Sequence, residues 1–190
     1  MKNNFVNSTV KEYLNQVGSK HCTPGGGNVL GLVNSLACGL VLMAARIKGH
    51  KELAKRLLHL KKLSIKTAQM DSFKFEKVMQ AYRKKDQAKL PEALKAAAGV
   101  SLDTAGHSMA LLKLINNLDL SEFTNILPDI IIAVELAGVC IKGSLCNCKT
   151  NLTMLDKPEI TGNLQKQVKT IEGNFENIRA TLEKNKFLDL

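Results

Sequence analysis

The sequence predicts an all-α bundle of five to six helices around two buried apolar helices. Three observations carry this. Apolar residues recur at spacings of three and four almost throughout, and no segment alternates as a half-buried strand would. Hydrophobic residues make up 45% of the chain while aromatics are only 4%, so Leu, Ile, Val and Ala must fill the core, a mix that favours helices. A chain of 190 residues makes one domain, here taken as residues 1–190, and is long enough to bury a real core.

The elements follow in order. Val6, Val10, Tyr13 and Val17 form a first stripe, ended by Gly18. A second helix runs from Asn28 to Ile47, stops near Gly49, and carries no charge before Arg46. Its apolar run of 19 residues would extend about 28 Å, enough to cross a bilayer. Asn34, Ser35 and Gly39 interrupt it, and no second clean span exists, so it reads as a central helix buried on all sides rather than a membrane segment.

Leu53, Leu57, Leu60 and Leu63 begin a third helix, extended with a bend near Asp71 through Phe75, Val78, Met79 and Tyr82. The polar stretch 84–89 separates it from a fourth, with Pro91 in its first turn and Leu94, Ala97, Ala98, Leu111, Leu112 and Ile115 along it. Residues 116–124 read as a loop. Pro128 opens an apolar helix from Asp129 to Leu152, and the stretch 156–159 is a further stop-and-start signal. Ile160, Leu164, Val168, Ile171, Phe175, Ile178 and Leu182 mark the last helix, whose stripe faces a partner within the domain or across a subunit interface.

The net charge is +10, which would attract a polyanion or a small multi-carboxylate substrate. No basic and aromatic residues interleave as base-stacking requires, so nucleic acid is not the expected partner. Between Arg46 and Lys66 eight basic residues stand against the single acid Glu52; such a run is usually a solvated helix face. Five cysteines and a polar opening (Met1–Ser8 apart from Phe5 and Val6) point to a reducing, cytoplasmic setting. Cys146 and Cys148 lack zinc-site partners, and His21, His50, His59 and His107 show no ligand pairing, so no metal is expected.

Thr23-Pro24-Gly25-Gly26-Gly27-Asn28 is the densest signal. Three consecutive glycines lose much backbone freedom on ordering. They either deliver bare N–H groups at a helix N-terminus to an anion or carbonyl oxygen, or simply permit close packing. No Gly-Lys-Ser/Thr follows and no strand precedes, which excludes a P-loop and a dinucleotide fingerprint.

Together these residues resemble the cyclodeaminase family: the carboxy-terminal domain of formiminotransferase-cyclodeaminase, and stand-alone cyclodeaminases and methenyltetrahydrofolate cyclohydrolases. The family's Thr-Pro-Gly-Gly-Gly-Ser loop is matched by Thr23–Gly27, with Asn28 in place of serine. Its Asp, Phe and Val-Met-x-Ala-Tyr/Phe-Arg elements are matched by Asp71, Phe75 and Val78-Met79-Gln80-Ala81-Tyr82-Arg83. Its Ser-Asp and Asn-Val-x-x-Asn-Leu elements correspond to Pro128-Asp129 and Asn147-Cys148-Lys149-Thr150-Asn151-Leu152. The family's Gly-Asn-Pro-Asn lead-in is Glu122-Phe123-Thr124-Asn125 here, and Lys84-Lys85 stand where its Pro is usual.

The resemblance implies closure of 5-formiminotetrahydrofolate to 5,10-methenyltetrahydrofolate with loss of ammonia. The substrate's own N10 attacks the formimino carbon, so the protein must position atoms and move protons, and needs no cofactor beyond the tetrahydrofolate substrate. Asp71 and Asp129 are the implied acid/base residues; read alone, each is more readily a helix cap or ion-pair partner, and the resemblance reverses that order. Thr23, Pro24, Gly25, Gly26, Gly27, Arg83, Asn147 and Asn151 are the implied substrate-binding set. Arg83 would meet a folate glutamate tail, and Asn147 and Asn151 share a helical face. A homodimer is implied too. The alternatives are the hydrolytic cyclohydrolase, and a bundle that binds folate or a partner without turnover, motivated by the altered Gly-Asn and Ser-Asp elements.

Overall fold

The structure, a computed structural model, describes residues 5–155 and 158–184, leaving aside the side chains of 158–160. Six α-helices follow in order: α1 Val10–Val17, α2 Gly26–Ile47, α3 Lys51–Arg83, α4 Lys89–Asn116, α5 Leu127–Leu155 and α6 Pro158–Lys184. Two 3-10 segments, Phe5–Asn7 and Leu120–Ile126, precede α1 and α5. No strand occurs among the described residues. The signal at 156–157 and the side chain of Ile160 lie outside them.

Short connections make successive long helices run up and down, so α2 and α5 are antiparallel neighbours. The core lies between α2, α3, α4 and α5 and includes the sealed side chains of Val41, Leu57, Leu111, Ile115, Ile130 and Ile141. Val168, Phe175 and Leu182 of α6 are buried in that core, so the α6 stripe finds its partner within the domain.

Several elements differ from the sequence reading. α3 is one unbroken helix through Asp71, because no Gly or Pro occurs between Lys51 and Arg83 and most of its residues are good helix formers. The 116–124 loop is replaced by the end of α4 and the 3-10 segment, pinned by the buried Phe123. In α1 only Tyr13 turns inward; Val10 and Val17 stand exposed, since the short helix touches the bundle along a single line.

The expectation that α2 is buried on all sides is corrected. Its inner face is sealed at Ala37, Cys38, Val41 and Ala44, but Leu36, Met43 and Ile47 are bare. α5 is likewise open at Ile132 and Val139. Apolarity all round the helix does not distinguish a sealed helix from one whose outer face the chain leaves uncovered.

Candidate active site

The first turn of α2 sits against the middle of α3, because α3 is half as long again as α2 and runs past it. Gly25 is the N-cap of α2, so the N–H groups of Gly26, Gly27 and Asn28 have no acceptor within the helix. The Thr23–Pro24 bond is cis, and Pro24 is buried while Thr23 is half-buried.

Asp71 of α3 reaches this turn. A Cβ added to Gly27 would overlap its carboxylate, so glycine is required there for close approach. One turn further, a Cβ on Gly31 would lie 2.8 Å from the backbone nitrogen of Ala68, which makes this a tight helix crossing. Gly26 is different: a methyl group there would touch nothing within 4 Å. The glycines thus serve both purposes left open by their spacing. Gly27 and Gly31 admit α3, while Gly26 leaves an open, amide-bearing surface beside Asp71.

Burial pushes the Asp71 carboxyl up to about 6, and a hydrogen bond from the Asn28 backbone N–H pulls partly the other way. No Lys or Arg forms an ion pair with it among the described residues. A half-buried carboxyl titrating near neutrality can both take and return a proton.

Asn28 holds the turn in place. Its amide donates to the Ala68 carbonyl at 2.8 Å and to Ser72 Oγ at 3.1 Å, while its Oδ1 accepts from the Tyr13 hydroxyl at 2.7 Å. One buried side chain thereby ties α1, α2 and α3 together. Sequence reasoning named Asn28 only as a serine replacement and missed Tyr13 and Ser72. The available signal was a lone aromatic with a polar tip among the valines of α1, since a buried tyrosine hydroxyl needs a partner. Tyr13→Phe is expected to cost about 1 kcal/mol. Urea unfolding of the two proteins checks it.

The other predicted residues are distributed as follows. The Cys140 thiol of α5 donates to the Leu30 carbonyl at 3.2 Å, and Gly143 abuts the Leu30 side chain. Asn147, one turn on, is therefore level with the first turn of α2 and half-buried. Asn151 donates its amide to the Asn147 carbonyl at 3.0 Å, so one of its two N–H donors is engaged within its own helix.

Asp129 is not brought to Asp71 within the chain. It lies in the first turn of α5, eighteen residues before Asn147, or about 27 Å along the helix. The two carboxylates are thus far apart within one chain. Arg83 is exposed at the end of α3, twelve residues and about 18 Å beyond Asp71. Elsewhere, burial pushes the Cys38 and Cys140 thiols up to about 12, which excludes them as thiolate nucleophiles. A cleft of about 350 Å³ lined by His50, Arg56, Asn117, Asp119 and Glu122 contains none of the predicted residues.

The family profile described as Formiminotransferase-cyclodeaminase matches residues 9–170. The chain belongs to that family. Its fold is similar to the crystal structure of formiminotetrahydrofolate cyclodeaminase from Thermotoga maritima, with a TM-score of 0.88 and 25% sequence identity over 97% of this chain and 98% of that one. No curated protein matches it. The formiminotransferase-cyclodeaminase family and this neighbour indicate a cyclodeaminase-type function connected with folate.

Proposed function

We propose that the chain is a folate-dependent cyclodeaminase converting 5-formiminotetrahydrofolate to 5,10-methenyltetrahydrofolate with release of ammonia. The observation that carries this is Asp71: a half-buried carboxyl, raised to about 6, held against free amide groups at the start of α2. N10 of the substrate attacks the formimino carbon. Asp71 takes the N10 proton and returns it to the departing nitrogen, and its charge then faces the cationic ring that forms. The Gly26 and Gly27 amides hold a pterin carbonyl, and Asn147 meets the pterin from α5. Arg83, further up α3, takes the glutamate end, with or without a polyglutamate tail.

Asp129 has no part in this centre within one chain, because a straight helix holds it about 27 Å from Asn147. Two copies per functional unit and a reducing, cytoplasmic setting belong to the same reading; all five cysteines are free thiols.

The test is the rise of the methenyltetrahydrofolate absorbance band when purified protein meets 5-formiminotetrahydrofolate, with ammonia measured in parallel. A rise supports the reading. Hydrolysis of methenyltetrahydrofolate without deamination would replace it by the cyclohydrolase. Tight folate binding with neither reaction would replace it by a non-catalytic bundle.

A further inference from the structure

We propose that the cleft between the start of α3 and the end of α4 binds a free α-amino acid with an aliphatic side chain. Arg56, which lines it, precedes Asp71 by about 22 Å along α3, so the site is separate from the folate chemistry and does not depend on it. The cleft measures about 350 Å³. That is the small end of ligand pockets, which run from about 300 to 1,000 Å³.

The charges lining this cleft do not cancel one another. His50 Nε2 and Glu122 Oε2 meet at 2.7 Å, and the His50 ring stacks on the buried Phe123 with centroids 5.5 Å apart, so this wall is already built. Arg56 and Asp119 remain. Both line the same cleft, yet neither forms an ion pair among the described residues. Asp119 Oδ1 accepts from the Ser121 N–H at 3.0 Å and its hydroxyl at 2.6 Å, bonds that hold the carboxyl below its usual value. The helix ends carry the same two signs. α3 begins here with no side chain capping its N–H groups, the positive end of its dipole, and α4 ends here at Asn117, the negative end.

A ligand carrying both charges satisfies both ends of such a cleft. Its carboxylate accepts from the Arg56 guanidinium, whose planar fork suits that geometry. Its ammonium donates to Asp119 and faces the carbonyl end of α4. A phosphate or plain carboxylate would bring no positive charge to Asp119, a simple amine would face Arg56, and an apolar molecule would cover both charges unpaired. The two groups must also stand close together, as they do on the α-carbon of a free amino acid and do not at the separated termini of a peptide. Leu53, Leu114 and Leu118 supply the rest of the lining, an apolar wall for an aliphatic side chain.

The experiment is isothermal titration of the full chain with L-leucine, with isocaproate, which lacks the ammonium, and with isoamylamine, which lacks the carboxylate. The expected result is a leucine dissociation constant of about 1 mM or tighter, with both analogues at least tenfold weaker. Arg56→Gln and Asp119→Asn should each weaken leucine by tenfold or more with unchanged helical circular dichroism, since an asparagine oxygen can still accept from Ser121. Lys62→Gln removes a charge from α3 outside the cleft and should bind leucine as wild type does. If a variant fails to fold, the comparison of leucine with its two analogues on wild type decides alone. No leucine binding at millimolar concentration overturns the proposal. An analogue that binds as tightly as leucine overturns it too, making the cleft a plain anion or cation site. Binding that survives Arg56→Gln or Asp119→Asn places the amino acid elsewhere, and an equal loss in Lys62→Gln reduces the effect to net charge; either result refutes the site. So does displacement of leucine by tetrahydrofolate, which would put both ligands in one place. Turnover is a separate readout: its absence refutes the proposed reaction and leaves leucine binding untouched.

Discussion

Asp71→Asn is expected to abolish turnover while making the protein more stable at neutral pH. Removing a positioned acid/base group typically costs a factor of 10²–10⁴ in rate. The stability effect has the opposite sign because the ionised carboxyl is the disfavoured form in this environment. Burial raises the folded-state value from 3.8 to about 6, so between those values the folded protein holds a proton that the unfolded chain has lost. Stability from this group is therefore fully present below about pH 4 and is lost as pH rises to about 6. Above that, the ionised Asp71 burdens the fold by about 3 kcal/mol at most.

Asparagine cannot ionise, and its Oδ1 can still accept the Asn28 N–H. A gain of about 1–3 kcal/mol should raise Tm by about 3–8 °C at pH 7.5 in a chain of this size. The gain should vanish at pH 4. Wild-type turnover should rise through pH 6 as Asp71 ionises to act as base. Calorimetry at the two pH values, alongside the folate assay, checks all three statements. An Asp71→Asn protein that keeps full turnover would remove Asp71 from the chemistry. One that is less stable at pH 7.5 would mean that the carboxylate holds α2 to α3 by more than the Asn28 contact.

The fold was legible because helical periodicity survives tertiary packing. The stripes in α4, α5 and α6 reflect burial that each helix must achieve somewhere, and α6 found it inside the domain. What spacing could not express was extent and side. α3 reads as bent near Asp71, yet the helix runs straight through, and its polar Ser64 and Asp71 face α2. The two apolar helices read as fully buried because sequence carries no information about which face lacks a cover. The resemblance selected Asp71 and the glycines, and the structure brings those together. It could not place Asp129, because proximity across five helical turns depends on topology rather than motif order.

The glycines of α2 should separate activity from stability in three substitutions. Gly26→Ala meets no atom within 4 Å, so the alanine should be tolerated or gain about 0.5–1 kcal/mol from reduced freedom of the unfolded chain. Gly27→Ala puts a methyl group into the Asp71 carboxylate. That carboxylate ends a side chain with rotatable bonds and can swing away, so the fold should lose little. Turnover should fall about as far as in Asp71→Asn, by 10² or more, since the displaced group no longer faces the site.

Gly31→Ala meets Ala68 at its nitrogen, Cα and Cβ, between 2.7 and 2.9 Å, and no rotamer relieves contact with a backbone. α2 and α3 must move apart, at an overpacking cost of about 1–3 kcal/mol or more, only partly offset by the better helix propensity of alanine. The order of Tm should therefore be Gly26→Ala highest and Gly31→Ala lowest, while Gly27→Ala stands out in activity alone. An inactive Gly26→Ala protein with normal Tm would mean that the ligand needs the space above that residue, moving the binding surface one position toward the cap. An active Gly27→Ala protein would mean that Asp71 works from a position away from the α2 amides, and the carboxylate and the helix terminus would then have to be treated as separate features.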